Sequence, residues 1–313
     1  MSSWKILITD GLDQVGQSLM QAHAEVVDRA GLSAEELLAE IEPFDGLIVR
    51  GRTKVTKEVF AAAPNLKVVG RAGVGVDNID LAAAQSRQVV VVNAPAASTN
   101  AVAEHTLALM LSLVRQIPRA DRAMKSGQWI KKELEGAELS GKTLGIIGMG
   151  RIGSAVAHRA APFGMQVLCY DPFVDAEDLR TRGGEPVELK KLYAESDFIS
   201  LHLPRTPETR AMLDGGAFAA MKRGVYLVCA ARGGVIDETA LHASLESGQV
   251  AGAALDVFAE EPPGLTALVA HPHVIATPHI GAQTVEAQLR AAQHIAEQVL
   301  AALNGQPLIS QIV

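Results

Sequence analysis

The chain has 313 residues, of which 48% are hydrophobic and 20% are charged, and its formal net charge is −7. This length allows two domains of ordinary size with a buried core in each, and the composition excludes a disordered chain. The negative charge argues against nucleic acid or an anionic membrane as a general partner, but it does not exclude a local basic pocket.

No secretory signal is recognisable, because the N-terminal residues MSSWKILITD lead directly into an apolar strand pattern. The longest apolar run, Leu107 to Val114, is too short to span a bilayer. Cys169 and Cys229 lie in apolar strand-like runs, where reduced core thiols are expected rather than a disulfide or a metal pair. We therefore expect a cytoplasmic protein without a membrane partner.

Short apolar runs alternate with helical patterns throughout the segment before Thr99. Strands separated by helices of this length predict parallel pairing with right-handed crossovers. Ser33 followed by Glu36 is typical of a capping box. The predicted strands are Trp4–Ile8, Glu25–Val27, Gly46–Val49, Leu66–Gly70 and Val89–Val92, and the predicted helices are Leu12–Ala22, Ser33–Ile41, Lys57–Ala63 and Ile79–Ser86.

A long apolar helix is predicted from Thr99 to Arg115, ending near Pro118, with an amphipathic continuation to Trp129. The charged stretch Lys131–Ser140 lacks periodicity and indicates a surface connection at a domain edge. Alternation then resumes. The predicted strands are Leu144–Ile147, Gln166–Tyr170, Asp197–Leu203, Val225–Cys229, Val250–Leu255 and Val274–Ala276, and the predicted helices are a segment ending at Pro162, Leu189–Glu195, Gly216–Met221, Glu238–Ser247 and Thr284–Leu303.

The stretch after Gly141 contains a dinucleotide-binding fingerprint. Gly148, Gly150 and Gly153 have the G-x-G-x-x-G spacing between an apolar strand and a helix, which suits a tight turn, approach to a pyrophosphate and close helix packing. The helix amides and dipole favour phosphate. Asp171 follows the next strand, where a carboxylate binds the adenosine ribose hydroxyls and repels a 2′-phosphate. The sequence therefore predicts NAD in preference to NADP.

Three later loops follow predicted strands, where open α/β sheets bind ligands. They carry Arg232, a Glu pair at Glu260 and Glu261, and His279. An imidazole can exchange the hydroxyl proton when an alcohol is oxidised, a carboxylate can fix its tautomer, and a guanidinium can hold a substrate carboxylate. The set suits oxidation of a 2-hydroxy acid, although spacing alone does not choose between the two glutamates.

Five motifs in this order resemble those of the D-isomer-specific 2-hydroxyacid dehydrogenases, over nearly the whole chain. Within that family they are most similar to members that oxidise 3-phospho-D-glycerate to 3-phosphooxypyruvate, the first step of serine synthesis. The motifs are Arg71-Ala-Gly-Val-Gly-Val-Asp77-Asn78, Gly148-Met-Gly-Arg-Ile-Gly153, Ala231-Arg232-Gly233-Gly234, Ala254-Leu-Asp256-Val-Phe-Ala-Glu-Glu261-Pro and Pro278-His279-Ile-Gly-Ala282.

The resemblance implies a role for each matching residue. His279 would be the acid/base, Glu261 its carboxylate partner and Arg232 the group that binds the 2-hydroxy or 2-oxo acid. Asp256 would lie beside the nicotinamide, and amides of Arg151 and Ile152 would bind the pyrophosphate. The full set of expected NAD contacts is Val74, Gly148, Gly150, Arg151, Ile152, Gly153, Asp171, Leu203, Ala230, Ala231, Asp256, Gly281 and Ala282.

The resemblance also implies an α/β fold with two doubly wound parallel sheets. A Rossmann cofactor domain, residues 99–282, would be inserted into a flavodoxin-like substrate domain made of residues 1–98 and 283–313. The cleft between the domains would close on the substrate. The helix from Thr99 would help to form a homodimer.

Basic residues of the first domain bear on substrate choice. Arg50 and Arg71 lie at strand ends and are expected to contact a phosphorylated substrate, more so than Arg52 and Lys54. The backbone at Gly73 and Val74 is also expected to contact the substrate, with Val74 where many relatives have Thr. Because the sequence stops at Val313, feedback through an appended serine-sensing domain is not expected.

Two other hypotheses stay open. The first is another dehydrogenase of the same family, a glyoxylate or hydroxypyruvate reductase or an enzyme that acts on another D-2-hydroxy acid. The second is a protein without enzymatic function, a dinucleotide-sensing binding protein like the C-terminal-binding-protein corepressors. No metal is expected, because His271, His273 and His279 lack supporting ligand spacing. His105 is expected to be a packing or interface residue, and His202 either structural or near the adenine.

Overall fold

The computed structural model describes residues 4–313. Residues 1–3, which begin the stretch searched above for a signal sequence, lie outside the described residues. The chain divides into two compact units, one made of residues 4–98 with Ala282–Val313 and the other of Thr99–Gly281. Among the helices of residues 4–313, none is both long enough and apolar enough to cross a membrane.

The first unit is built on a parallel sheet with the strand order β2-β1-β3-β4-β5, which is the flavodoxin-like order. The predicted Ser33–Glu36 capping box is present at the start of its second helix. The elements in chain order are β1 (Trp4–Ile8), α1 (Gln14–Gln21), β2 (Ala24–Asp28), α2 (Ala34–Glu40), β3 (Gly46–Val49), α3 (Lys57–Ala62), β4 (Val68–Arg71), α4 (Leu81–Ser86) and β5 (Val90–Asn93).

The second unit has a seven-stranded parallel sheet with the order β12-β11-β10-β9-β6-β7-β8. Strands β6 to β11 have the strand order of doubly wound dinucleotide-binding domains. The direction in which the strands follow one another reverses between β6 and β9. The elements are α5 (Thr99–Val114), α6 (Ile117–Lys125), β6 (Thr143–Ile147), α7 (Arg151–Ala160), β7 (Gln166–Tyr170), α8 (Ala176–Thr181), β8 (Glu185–Pro186), α9 (Leu189–Glu195), β9 (Phe198–Leu201), α10 (Gly215–Ala220), β10 (Val225–Cys229), α11 (Glu238–Glu246), β11 (Val250–Leu255), α12 (Ala267–Ala270) and β12 (Val274–Ala276).

The last helix, α13 (Val285–Leu303), returns to the first unit. Successive residues of β1 point to opposite faces of the sheet, so that Leu7 belongs to one apolar cluster and Ile6 and Ile8 to the other. Ile295 and Val299 of α13 complete the second cluster. Both faces of the sheet are therefore covered, as the fully buried residues of the central strand β3 require.

The structure differs from the predicted elements at several places. Pro118 does not end the long helix, which stops at Val114; it lies in the first turn of α6, where a missing amide is tolerated. The short elements α8, β8 and α12 were not predicted, because two to six residues are too few to show a clear periodicity. Ala282 lies in the first unit, since its carbonyl accepts the Gln288 side chain of α13 at 2.8 Å.

Candidate active site

The three candidate catalytic residues follow three neighbouring strands of the second sheet. Arg232 comes after β10, Glu261 after β11 and His279 after β12, and these strands are adjacent in the sheet. Because all three strands are parallel, their carboxyl ends lie at one edge. The fold thus brings the predicted loops to the same edge, where doubly wound proteins bind their ligands.

His279 and Glu261 form a direct pair. Nδ1 of His279 lies 2.8 Å from Oε2 of Glu261, and the side chains are 50% and 36% exposed. An ionised carboxylate only accepts, so Nδ1 carries the hydrogen and Nε2 is left to exchange a proton. Burial alone would raise the pKa of Glu261, but hydrogen bonds from His279 and the Phe258 amide outweigh it and hold the pKa below its usual value.

The loop of Arg232 packs tightly against the loop that leads to Glu261. A Cβ atom at Gly233 would overlap the carbonyl oxygen of Phe258, so only glycine allows this approach. Arg232 is half-buried, and its Nη1 donates to the carbonyl oxygen of Ala231 at 2.7 Å. The preceding residues Ala230 and Ala231 are buried at the strand end.

Asp256 anchors the loop that carries His279. Its carboxylate is 1% exposed and accepts hydrogen bonds from the Thr277 hydroxyl at 2.5 Å, the Ile280 amide at 2.9 Å and the Gly281 amide at 2.8 Å. Burial alone would raise the pKa of Asp256, but its donors outweigh that effect and the pKa lies below its usual value.

The glycine fingerprint connects β6 to α7, as its spacing predicts. Gly148 has a φ of +93°, in the left-handed region that favours glycine, and a Cβ atom there would overlap the His202 carbonyl. A Cβ at Gly153 would overlap the Gly148 carbonyl, so the helix could not pack as closely. Helix α7 begins at Arg151 after Gly150, and the first amides of a helix, here those of Arg151 and Ile152, have no partner within it.

Asp171 closes the glycine loop from the adjacent strand β7. Its Oδ2 accepts the Met149 amide at 2.9 Å and its Oδ1 accepts the Phe173 amide at 3.0 Å. Each carboxylate oxygen has a second lone pair for a further donor. Arg182 donates to the Met149 carbonyl at 2.8 Å. The amide and the carbonyl of Met149 are thus each hydrogen-bonded to a charged side chain, Asp171 and Arg182.

His202 and Leu203 follow β9. This strand lies next to β6, which leads into the glycine loop, and the strand order of the sheet reverses between the two. Leu203 packs on the apolar cluster of the second unit. Nε2 of His202 lies 2.8 Å from the Ser200 hydroxyl, whereas Nδ1 is buried and has no hydrogen-bond partner among the described residues. Burial lowers the pKa of His202 to about 4, so the ring is neutral near pH 7.

The candidate substrate residues of the first unit lie at the edge formed by β3 and β4. Arg50 follows β3, and Arg71 is paired in register with Val49 at the end of β4. The buried carboxylate of Asp10 accepts the Arg50 amide at 2.8 Å. Asn78 donates to the Arg50 carbonyl at 3.0 Å and ties the two loops together.

The guanidinium groups in these loops differ in their contacts. Arg50 Nη2 lies 3.3 Å from Gln283 Oε1. Arg52 donates to the carbonyl oxygens of Leu32 and Thr9 at 2.9 and 2.8 Å, which gives it a structural function in this unit.

The backbone of the Arg71 loop is also fixed from within the first unit. Asn93 Nδ2 donates to the Val74 carbonyl at 2.6 Å, and the Ala94 amide donates to the Gly73 carbonyl at 2.8 Å. A side chain at Gly73 would collide with the guanidinium of Arg71, so glycine is needed for that guanidinium to lie over the loop.

Both ring nitrogens of His271, which precedes Pro272, have partners within the protein. Nε2 of His271 lies 3.2 Å from Glu246, and its Nδ1 accepts the His273 amide at 3.2 Å. Within residues 4–313, no cluster of three or more His, Cys, Asp or Glu side chains has the arrangement to hold a metal ion. Cys169 and Cys229 are free and buried, and burial raises the pKa of each thiol to about 11.

The sequence of the second unit matches a known protein family. Residues 107–281 match the family model described as D-isomer specific 2-hydroxyacid dehydrogenase, NAD binding domain. The chain belongs to this family. The resemblance drawn from the five motifs is therefore confirmed, and with it NAD as the cofactor of the domain.

Curated relatives of this dehydrogenase family extend the match to nearly the whole chain. D-3-phosphoglycerate dehydrogenase from Rattus norvegicus is 48% identical over 97% of this chain and 57% of its own length. The enzyme of the same name from Methanocaldococcus jannaschii is 48% identical over 96% of this chain and 58% of its own length. The chain thus spans somewhat more than half the length of the curated relatives it matches.

Solved structures of the family share the fold. A glyoxylate reductase from Paecilomyes thermophila superimposes with a TM-score of 0.91 at 30% identity, covering 100% of this chain and 99% of that one. A D-lactate dehydrogenase from Aquifex aeolicus, complexed with NAD and lactic acid, gives a TM-score of 0.85 at 33% identity over 96% of both chains. The predicted fold class, two parallel doubly wound sheets, is confirmed.

Sequence reasoning missed the residues that support the candidate site. Asp10, Thr277, Arg182 and Asn93 each hold a loop that carries a predicted residue. A signal existed for Asp10, a carboxylate two residues after the end of the buried strand β1, in Ile-Thr-Asp-Gly. Arg182 had no such signal, because it reaches Met149 across 33 residues of sequence.

Proposed function

We propose that the protein is an NAD-dependent dehydrogenase that oxidises 3-phospho-D-glycerate to 3-phosphooxypyruvate. The observation that carries this proposal is the 2.8 Å pair between His279 and Glu261 at the ligand-binding edge of the second sheet. The names of the curated relatives support the substrate.

The residues of the second unit fit NAD. Gly150 leaves room for a pyrophosphate beside the first amides of α7, because no atom lies within 4 Å of the position of a Cβ there, whereas Gly148 and Gly153 allow the close packing of the turn and the helix. Asp171 offers acceptors to the ribose hydroxyls. We also assign Val74, Leu203, Ala230, Ala231, Asp256, Gly281 and Ala282 to the cofactor site. When bound, NAD accepts the hydride that leaves C2 of the hydroxy acid.

Side chains of the protein accept the proton of the substrate hydroxyl and bind the negative charge of the substrate. Nε2 of neutral His279 takes the proton of the substrate hydroxyl while Nδ1 keeps its hydrogen bond to Glu261. The resulting imidazolium is stabilised by that carboxylate, whose depressed pKa keeps it ionised at neutral pH. Arg232 holds the substrate carboxylate and polarises the reacting oxygen.

A phosphorylated substrate is supported by the basic residues of the first unit. Arg50 and Arg71 lie at one sheet edge in loops that are tied together by Asn78. We propose that these two side chains bind the phosphate of the substrate, with backbone contacts at Gly73 and Val74. Arg52 is excluded from this proposal, because its guanidinium is bound to carbonyl oxygens.

A second candidate is glyoxylate or hydroxypyruvate reduction. It is favoured by the similarity to the Paecilomyes thermophila glyoxylate reductase over nearly all of both chains. The same His279, Glu261 and Arg232 would serve this reaction in reverse. The two candidates differ in their need for a phosphate-binding Arg50.

We further propose a cytoplasmic homodimer. The segment after α5 exposes large apolar side chains, with Ile117 53%, Met124 57% and Trp129 78% exposed. The two free buried thiols are typical of a reducing compartment. Sedimentation analysis at micromolar concentration would reveal the assembly, and a monomer would contradict this part of the proposal.

Steady-state assays test the function. The purified protein should oxidise NADH with 3-phosphooxypyruvate much faster than with glyoxylate, hydroxypyruvate or pyruvate. His279→Gln should lower kcat at least roughly 100-fold while NADH binding changes little, because it removes the proton-transfer group and not the dinucleotide site. Faster turnover of hydroxypyruvate would favour the second candidate, and NADH binding without any turnover would favour a dinucleotide-sensing protein.

A further inference from the structure

Helix α5 carries a histidine that reaches the anchor of the His279 loop. Nε2 of His105 lies 3.3 Å from Oδ1 of Asp256 and 3.4 Å from the Thr277 hydroxyl, and the His105 side chain is 18% exposed. All three residues belong to the second unit. The contact therefore connects a core helix to the loops after β11 and β12.

The hydrogen positions in this network follow from its acceptors. The Thr277 hydroxyl donates to Asp256 at 2.5 Å, so its oxygen is free to accept from another donor. The Asp256 carboxylate has no hydrogen to offer, and its pKa lies below its usual value because the surrounding donors outweigh burial. His105 must therefore carry a hydrogen on Nε2, which is shared between the carboxylate and the hydroxyl.

We propose that His105 is a positioning residue, which holds His279 in its working geometry through Asp256 and Thr277. This inference rests on the proposed function, in which His279 exchanges the substrate proton. His105 does not touch the reacting atoms.

Asp256 controls the backbone on both sides of His279. Thr277, two residues before it, donates its hydroxyl, and Ile280 and Gly281, directly after it, donate their amides. His279 itself has a φ of +53°, a left-handed conformation that costs free energy in a residue with a side chain. Such a conformation persists only while its neighbours are held, so the Asp256 carboxylate must keep the orientation in which it accepts all three donors.

His105 is the side chain that ties this carboxylate to a separate element. The three other donors, Thr277, Ile280 and Gly281, all belong to the loop after β12 that also carries His279. Helix α5 is fixed by the core, where Thr106 and Met110 are fully buried. The backbones of Asp256 and Thr277 are held by the carbonyl oxygens of Cys229 and Leu255, each at 2.9 Å, so His105 acts on the Asp256 side chain. Without His105, this carboxylate could turn and the amides that it accepts could follow it, and shifts below 1 Å are enough to slow a proton transfer.

The test compares two substitutions at His105. His105→Leu fills similar space without a donor, whereas the amide of His105→Gln reaches the position of Nε2. We expect kcat to fall about tenfold in His105→Leu, with the KM for NAD changed less than about twofold, and to recover most of its value in His105→Gln. His158→Leu, a change at an exposed histidine of α7, is the matched control and should leave kcat unchanged.

Hydrogen exchange gives a readout that needs no turnover. The amides of Ile280 and Gly281 should exchange about tenfold faster in His105→Leu than in the wild-type protein, and at the wild-type rate in His105→Gln. If His105→Leu does not fold, His105→Asn takes its place, since the shorter amide cannot reach Asp256 and should show the same loss.

Two results would overturn the inference. One is wild-type kcat and amide exchange in a variant without the donor; the other is a His105→Gln protein as impaired as His105→Leu, which would indicate a packing role. The proposed function fails separately, if the wild-type protein oxidises no 2-hydroxy acid. In that case the exchange rates still decide whether His105 holds the loop.

Discussion

Glu261, and not its neighbour Glu260, places a carboxylate oxygen 2.8 Å from Nδ1 of His279. The sequence alone left both glutamates open, and only the family resemblance favoured Glu261. The other oxygen of Glu261 accepts the Phe258 amide at 3.1 Å, which fixes the carboxylate within its own loop. One side chain thereby connects the loops after β11 and β12.

Replacement of Glu261 by Gln should slow catalysis more than it weakens binding. The uncharged amide keeps the shape but no longer stabilises the imidazolium, so kcat should fall at least roughly tenfold with a small change in the KM for NAD. Glu260→Gln is the matched control in the same loop. Equal losses in both variants, measured by steady-state kinetics, would contradict the role given to Glu261.

Asp171 should set the preference for NAD. In Asp171→Asn the charge that repels a 2′-phosphate is lost, while one oxygen remains to accept the Met149 amide. The ratio of kcat/KM for NAD to that for NADP should fall at least about tenfold, which corresponds to about 1.4 kcal/mol. Asp175→Asn, a change at the exposed N-cap of α8, should leave the ratio unchanged. An unaltered ratio in Asp171→Asn would assign the preference to another residue.

Long or buried helices and strands could be predicted from the sequence, because the residue pattern of each lies within one short stretch of the chain. Strands β3, β7 and β10 to β12 have the predicted bounds, since their apolar runs end sharply at turn residues. The glycine turn was predictable for the same reason, as Gly148 requires a positive φ whatever surrounds it.

The supporting contacts of the candidate site were not predictable, because they join residues far apart in the chain. His105 reaches Thr277 over 172 positions, and Asp10 reaches Thr53 over 43. Neither spacing forms a local pattern, and a lone His in an apolar helix is as well explained by packing. Strand order, which brings Arg232, Glu261 and His279 to one edge, likewise depends on the tertiary fold.

Arg50 should matter only for a phosphorylated substrate. Loss of a charge-assisted hydrogen bond costs about 1.5–3 kcal/mol, so Arg50→Ala should raise the KM for 3-phosphooxypyruvate roughly tenfold to a hundredfold and that for hydroxypyruvate much less. Lys54→Ala, at an exposed basic residue of the same loop, serves as the control. Equal effects on both substrates would remove Arg50 from the phosphate site.

The buried ring of His202 should make the fold sensitive to mild acid. Burial lowers its pKa to about 4, whereas an unfolded chain binds the proton with a pKa of about 6.5. The unfolded state then binds more protons between these values, so stability is complete above about pH 6.5 and falls as the pH drops towards 4. At pH 5 the loss from this group is roughly 2 kcal/mol.

Thermal unfolding of His202→Gln between pH 7 and pH 5 tests this origin of the acid sensitivity. The variant is less stable at pH 7 but should lose less stability on acidification, because glutamine does not titrate. Ser200→Ala is the control, since it removes the 2.8 Å contact to Nε2 and keeps the buried ring. Burial and the neighbouring histidines lower the pKa of His271, against the opposing charge of Glu246. Protonation of His271 therefore also lowers the stability of the fold in acid, and it does so in the wild type and in both variants. Parallel pH profiles for wild type and His202→Gln would therefore exclude His202 as the source of the acid sensitivity.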